Sequence, residues 1–291
     1  MRPKVVASLL TKEQDFQSMQ AMDAERAAAR ADLDLEIVYA NNNGALQIVQ
    51  LQRLIHAPVA ARPVAIIAHT VAGEGLANVA RDAAKAGIGW IILSRDVPYI
   101  DSLRAEYPLL PIAIVSTDQR AVGRIQGQQF QRLLASGGNV LYVQGPPDTS
   151  AAQQRLAAVE KTIAGSSINL KVLTARWTES SAEEAVVSWL RMSNSETYPV
   201  HLIGAQNDAM AVGARNAIGT RRPEWLRLPF TGCDGLPEGG QRLVNEGKLA
   251  ATIIVQSNTG PAIELIATHL RTGASVPARL ILQPRAYPAT L

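Results

Sequence analysis

Val64-Ala65-Ile66-Ile67-Ala68, an Ala-rich stretch of helical composition over 74–86, and then Ile88-Gly89-Trp90-Ile91-Ile92-Leu93 decide the fold. The two flanking runs are short, apolar and rich in Val and Ile, as strands buried on both faces require. Strands of this kind alternating with helices make a parallel sheet covered on both sides. Toward the N-terminus the same alternation gives strands over 4–10 and 35–39 and helices over 16–31 and 45–56. In the second helix Leu46, Val49, Leu51, Leu54 and Ile55 fall near i, i+3, i+4 spacing. Toward the C-terminus a strand over 112–115 leads through Ser116-Thr117-Asp118 into a helix over 119–135. Further strands are predicted over 139–143, 170–175, 200–203, 228–231 and 250–255, with a short one near 279–282. Helices over 150–164, 180–193, 207–218, 237–246 and 260–272 complete the series. Gly145-Pro146-Pro147 and Gly235-Leu236-Pro237 mark joins between elements. The fold class is α/β, with two doubly wound parallel-sheet lobes.

Composition narrows the function. The 291 residues are 47% hydrophobic and 18% charged, the balance of a globular protein long enough for two domains. No apolar run approaches the roughly 20 residues that span a bilayer. A net charge of +3 without a dense Lys/Arg stripe argues against nucleic-acid binding by this chain. Cys233 is the single cysteine, which excludes an internal disulfide and a cysteine-rich metal site. His56, His69, His201 and His269 share no ligand spacing and read as structural or surface residues, so neither metal nor cofactor is expected.

In open α/β sheets, ligands bind beyond the carboxyl ends of the strands. Those positions present Glu13-Gln14-Asp15-Phe16, Ser94-Arg95-Asp96, Thr117-Asp118-Gln119, Asp148-Thr149-Ser150, Arg176-Trp177, Gln206-Asn207-Asp208, Cys233-Asp234-Gly235 and Gln256. Aromatic rings, an arginine, carboxylates and amides together suit a sugar, which offers apolar C–H faces and adjacent hydroxyls. Taken singly, Asp118, Asp208 and Asp234 also fit helix caps, Phe16 and Trp177 fit core, and Arg95 fits a surface ion pair. Catalysis finds little support. There is no G-x-S-x-G elbow and no glycine-rich dinucleotide turn after the first strand, and the histidines are expected outside the strand-end loops. Asp118 and Asp234 as a hydrolytic carboxylate pair are the remaining enzyme reading.

Several segments resemble the ribose-type (type I) periplasmic sugar-binding proteins. They are Ala205-Gln206-Asn207-Asp208-Ala209-Met210-Ala211-Val212-Gly213-Ala214, Gly232-Cys233-Asp234-Gly235-Leu236-Pro237-Glu238 and Val244-Asn245-Glu246-Gly247-Lys248-Leu249-Ala250-Ala251-Thr252-Ile253. Asp148-Thr149-Ser150-Ala151-Ala152 with Arg155, and Ser116-Thr117-Asp118 with Gly123 and Gly127, are similar too. The resemblance implies two lobes joined by a three-strand hinge: 1–116 with 257–275, and 117–256 with 276–291. It implies stacking by Phe16 and Trp177, donation by Arg95 and Arg155, pairing by Asn207 and Asp234, and a contribution from Gln256 near the hinge. With Glu13, Asp15, Ser94 and Asp118 these are the candidate ligand-binding residues. Ser94 stands where ribose binders place an aspartate, and the acidic Glu13 and Asp15 favour a donor-rich ligand such as an amino sugar. The implied function is non-catalytic binding of a monosaccharide or related polyol by a monomer, for delivery to a membrane ABC transporter or receptor. Effector domains of lactose-repressor-type regulators share the fold and form the alternative. Only Met1-Arg2-Pro3 precede the first strand, without the pattern of a signal peptide. A trimmed chain is therefore expected in the periplasm and a complete one in the cytoplasm.

Overall fold

The computed structural model describes residues 2–71 and 75–291, apart from the side chains of Asn194 and Glu196. The chain divides into unit 1, residues 1–117 and 257–282, and unit 2, residues 118–256 and 283–291.

Unit 1 is built on six parallel strands: β1 (Lys4–Leu9), β2 (Asp34–Tyr39), β3 (Ala65–Ala68), β4 (Gly89–Leu93), β5 (Ile112–Thr117) and β11 (Arg279–Leu282). Their order is β11-β5-β4-β3-β1-β2. The period-2 alternation of strands sorts the core. Val6, Ile66, Trp90, Ile92, Ile112 and Ile114 pack on one face with α2 (Gly44–Ile55), α3 (Ala77–Lys85) and α4 (Tyr99–Glu106). Val5, Leu9, Ile67, Ile91, Leu93 and Val115 pack on the other with α1 (Asp15–Arg30) and α11 (Thr259–Thr272). Each fully buried Ile or Leu contributes about 1.5–3 kcal/mol. Ala21, Ala24, Ala27 and Ala28 leave α1 slim on its buried side, against Ala262, Ile263 and Ile266 of α11.

Unit 2 has a four-stranded parallel sheet in the order β7-β6-β8-β9: β6 (Gly138–Gln144), β7 (Ile168–Thr174), β8 (Leu202–Ala205) and β9 (Phe230–Thr231). One face is closed by α7 (Glu179–Leu190) and α9 (Asp208–Arg221), the other by α5 (Gln119–Leu133) and α6 (Ser150–Ile163). The helices α7 and α9 approach so closely that a Cβ on Gly213 would lie 2.0 Å from the Glu179 carbonyl oxygen.

Four features depart from the sequence reading. Residues 276–282 were expected in the second lobe, but β11 pairs with β5, Arg279 opposite Ile114, and so joins unit 1. The predicted strand over 250–255 is a shorter β10 (Thr252–Ile254) paired antiparallel with β12 (Arg285–Tyr287), an element too short and polar to show as an apolar run. The helix expected over 237–246 is broken at Gly239 (φ −115°, ψ −108°), leaving α10 (Arg242–Asn245). The helix expected over 74–86 begins at Ala77; position 74, like Met1, lies outside the described residues.

Candidate functional site

In unit 1 the carboxyl ends of the strands carry a buried polar network. The Leu10 amide donates to Gln17 Oε1 at 3.1 Å, which turns Gln17 Nε2 toward His69 Nδ1, also at 3.1 Å. Nδ1 is thus the acceptor, and the imidazole proton resides on Nε2. Gln47 Nε2 donates to Ser8 Oγ (3.0 Å) and to the His69 carbonyl (2.9 Å), and its Oε1 accepts from the Val71 amide. Burial, assisted by the charge of Arg95, holds the His69 pKa well below the usual histidine value, so the ring is neutral. His69 Nε2 is buried and meets no acceptor among the described residues.

Ser94 and Arg95 follow β4, and both are buried. Ser94 sits in the left-handed region at φ 58°. Its hydroxyl oxygen accepts from Asn258 Nδ2 at 2.7 Å. Asn258 is anchored in turn: its amide and that of Thr259 donate to Gln20 Oε1, both at 3.0 Å, and the Gly260 amide donates to Asp23 Oδ2 at 2.9 Å. Side chains of α1 thereby satisfy the amides at the start of α11, which would otherwise be orphaned. Phe16 is half-buried in the first turn of α1, while Glu13 and Asp15 are exposed.

Unit 2 gathers a second set around Arg155, on α6. Arg155 Nε donates to Gln119 Oε1 at 2.7 Å, and Nη1 donates to the Gln206 carbonyl. Its guanidinium lies 5.6 Å from the Trp177 ring centroid, within cation–π range. The Trp177 ring covers Gly145, where a Cβ would come within 2.3 Å of it. Trp177 itself has φ 65° and is fixed by Asn207 Nδ2, which donates to its carbonyl at 2.9 Å. Asn207 also caps α9 through Oδ1, accepting from the Met210 amide at 2.8 Å.

Asp208 is buried and holds the next loop in place. Its Oδ1 accepts from Thr252 Oγ1 at 2.7 Å and its Oδ2 from the Gly235 amide at 2.8 Å. Gly232 and Gly240 make room for it, since a Cβ on either would lie 2.1 Å from a carboxylate oxygen. Burial pushes its pKa up to about 7, against the lowering pull of those two hydrogen bonds and of Arg155. The loop it secures carries Asp234, at φ 115°. Neighbouring Cys233 is buried, and burial pushes its thiol up to about 12, which leaves no thiolate nucleophile near neutral pH.

Within unit 2 the structure brings Arg155, Trp177 and Asn207 together. Asp118 caps α5, its Oδ1 accepting from the Ala121 amide at 2.8 Å. Gln256 is exposed at the end of its segment. The histidines were expected outside the strand-end loops; His69 directly follows β3 and corrects that expectation. Its position after an apolar run was the available signal, outweighed by the lack of any metal-ligand spacing. Gln17, Gln20 and Asn258 left no such signal. Among the described residues no group of three or more His, Cys, Asp or Glu side chains could hold a metal ion, and no helix is long and apolar enough to cross a membrane.

The family model described as periplasmic binding protein domain matches residues 5–264. The D-galactose/methyl-galactoside binding periplasmic protein MglB of Haemophilus influenzae is 30% identical over 175 residues, 55% of this chain and 51% of that protein. This chain thus aligns with about half the length of that relative. The ribose import binding protein RbsB of Escherichia coli is 27% identical over 232 residues, 79% of this chain and 71% of that protein. Among solved structures, the periplasmic binding protein component of the arabinose ABC transporter from Shewanella sp. ANA-3 superposes with a TM-score of 0.84 at 22% identity. That match covers 98% of this chain and 92% of the other. The Caulobacter myo-inositol binding protein gives 0.79 at 22% identity, over 97% and 92%.

Proposed function

This chain belongs to the periplasmic binding protein family, and on that premise we propose that it is a solute-binding protein for a monosaccharide or related polyol. It binds the ligand without transforming it and presents it to an ABC-type membrane transporter or a receptor, as a monomer in the periplasm. The observation that carries the reading is the alignment with the ribose import binding protein over most of this chain, with buried polar groups at the strand ends. The ligand-contacting residues proposed are Phe16, Ser94 and Arg95 of unit 1 and Arg155, Trp177, Asn207 and Asp234 of unit 2. Glu13, Asp15, Asp118 and Gln256 sit at the margin of the set, exposed or already serving as a cap.

The chemistry of these groups supports recognition over reaction. Arg155 and Asn207 already spend hydrogen bonds on Gln119, Gln206, Trp177 and Met210, which fixes their direction before a ligand arrives. Fixed donors beside a flat indole suit a pyranose or furanose, with stacking on one side and directed hydrogen bonds on its edge. Preorganisation of this kind lowers the cost of binding.

A thermal-shift screen against monosaccharides, sugar acids, polyols, amino sugars and nucleosides tests the proposal. A ligand at 100 times its Kd adds about 2.7 kcal/mol, a rise of a few degrees at this size. A hit within the sugar and polyol classes is expected. If those classes leave the Tm unmoved, and mass spectrometry of the denatured protein finds no co-purified sugar, the proposal fails.

A further inference from the structure

Three neighbouring strands of unit 1 end at one edge, and side chains there leave hydrogen bonds of both kinds open. Ala68 of β3 lies opposite Ile92 of β4, and Leu93 of β4 opposite Val115 of β5, so His69 and Ser94 follow on adjacent strands. His69 Nδ1 is taken by Gln17, so Nε2 carries the hydrogen, and that buried N–H has no acceptor among the described residues. Asn258 Nδ2 donates to Ser94 Oγ at 2.7 Å, which leaves Asn258 Oδ1 buried beside Ser94 with no donor among the described residues. His69 is 3% exposed and Asn258 1%. The same edge holds Gln20 Nε2, an open donor on α1, and Thr117 Oγ1, which ends β5 and can act either way. The Arg95 guanidinium is engaged within the fold, one N–H with the Ser94 carbonyl at 3.4 Å, so it stands apart from the open groups. Glu13, Asp15 and Asp96 are exposed, where solvent screens their charge.

A buried donor and a buried acceptor, each left unpaired, are costly, and a ligand group that answers only one of them leaves the other cost in place. A hydroxyl answers both: its oxygen accepts from His69 Nε2–H and its hydrogen goes to Asn258 Oδ1. A protonated amine has no lone pair for His69. A carboxylate or a fluorine has no hydrogen for Asn258. We propose that His69 and Asn258 are specificity-determining residues that read the ligand's hydroxyls as acceptor and donor together. The protein thereby rejects analogues in which a contacted hydroxyl becomes an amine or an acceptor-only group. The inference rests on the solute-binding reading above and adds these two residues to its proposed contacts. Gln17 is a positioning residue, because it sets which imidazole nitrogen bears the proton. The assignment runs against the amino-sugar expectation drawn from the acidic first loop.

The test is calorimetric titration of the full chain, freed of co-purified ligand by unfolding and refolding, with D-ribose, D-galactose and myo-inositol. Analogues of the tightest-binding parent follow, each with one hydroxyl replaced by fluorine or by an amino group, protonated at about pH 6.5. At least one amino and one fluoro analogue are expected to bind about tenfold or more weakly than the parent. The variants should then cross. His69→Leu should reduce the amine penalty to less than about threefold and keep the fluorine penalty, and Asn258→Leu should do the reverse. A general loosening of the site would not separate the two. Penalties that are absent in the wild type, or unchanged in both variants, overturn the inference and leave the solute-binding proposal standing. Absence of binding by all three parents overturns it as well, and the thermal-shift screen of the other classes then decides the solute-binding proposal separately. A second measurement is independent of any variant's folding. Nitrogen-15 NMR of the histidine rings in the wild-type chain is expected to show the His69 proton on Nε2, with that resonance moving as the parent saturates the protein. A proton on Nδ1, or an Nε2 resonance unmoved by the bound parent, overturns the assignment.

Discussion

Replacing Asp208 by Asn changes one atom and removes one buried titration. In the native chain the carboxyl has a pKa of about 7, against 3.8 for the unburied group, because burial penalises its charged form. A carboxyl that binds its proton more tightly when folded makes the protein less stable as pH rises from about 4 toward 7, with no further change above. Each pH unit in that window corresponds to about 1.4 kcal/mol, so the passage from pH 5 to pH 8 removes about 3 kcal/mol. The side-chain amide of the Asp208→Asn variant does not titrate. Its carbonyl can accept from the Gly235 amide and its NH2 can donate to Thr252, whose hydroxyl can reverse, so both native contacts have a neutral counterpart. The variant should therefore gain on the wild type by about 3 kcal/mol between pH 5 and pH 8. Urea unfolding of both proteins at the two pH values measures it. At a slope of about 3 kcal/mol/M, the difference between midpoints shifts by roughly 1 M. Other titrating groups act in both proteins and cancel in the comparison. Parallel pH profiles, with the gap constant to within about 1 kcal/mol, would refute the assignment of a strained buried carboxylate.

Three further outcomes are expected. His69, buried neutral, supports stability that is present above its unfolded pKa of about 6.5 and lost as pH falls below it; His69→Gln should therefore gain on the wild type as pH falls from about 6.5 to about 5, read as the change in the difference between their thermal midpoints. Gly213→Ala should destabilise unit 2 by about 2–4 kcal/mol in urea, because its Cβ would meet the Glu179 carbonyl at 2.0 Å and force α7 from α9; an unchanged midpoint would contradict that packing. Trp177→Ala and Arg95→Ala should each weaken binding of the ligand found by screening by about tenfold or more, with the far-ultraviolet dichroism preserved, whereas Arg120→Ala, on an exposed side chain, should not.

The legible part of this protein is the part written in short-range order. Apolar runs such as 65–68 and 89–93 are strands because every side chain in them is buried, and their spacing by helices allows only a parallel, doubly covered sheet. Asp118 could be marked as a helix cap for the same reason, since a cap acts on amides three residues away, whereas at α9 the cap is Asn207 and not the expected Asp208, whose carboxylate is bonded to Gly235 and Thr252. Where β12 escaped notice, the cause was equally local: three residues, Arg285–Tyr287, contain no apolar pattern, and only their partner β10 makes them a strand.

The sequence by itself determined the α/β class, most of the elements and the strand-end loops that carry the proposed ligand-contacting residues. Tertiary structure decided what those residues can do. The proton of His69 is placed by Gln17, 52 residues away, and the Ser94 hydroxyl is oriented by Asn258, 164 residues away. The acidity of Asp208 follows from burial beside Gly232 and Gly240 and from bonds to Gly235 and Thr252. Periodicity reports whether a side chain faces the core. Hydrogen-bond direction and charge state depend on which groups the fold brings within about 3 Å, and those come from distant parts of the chain.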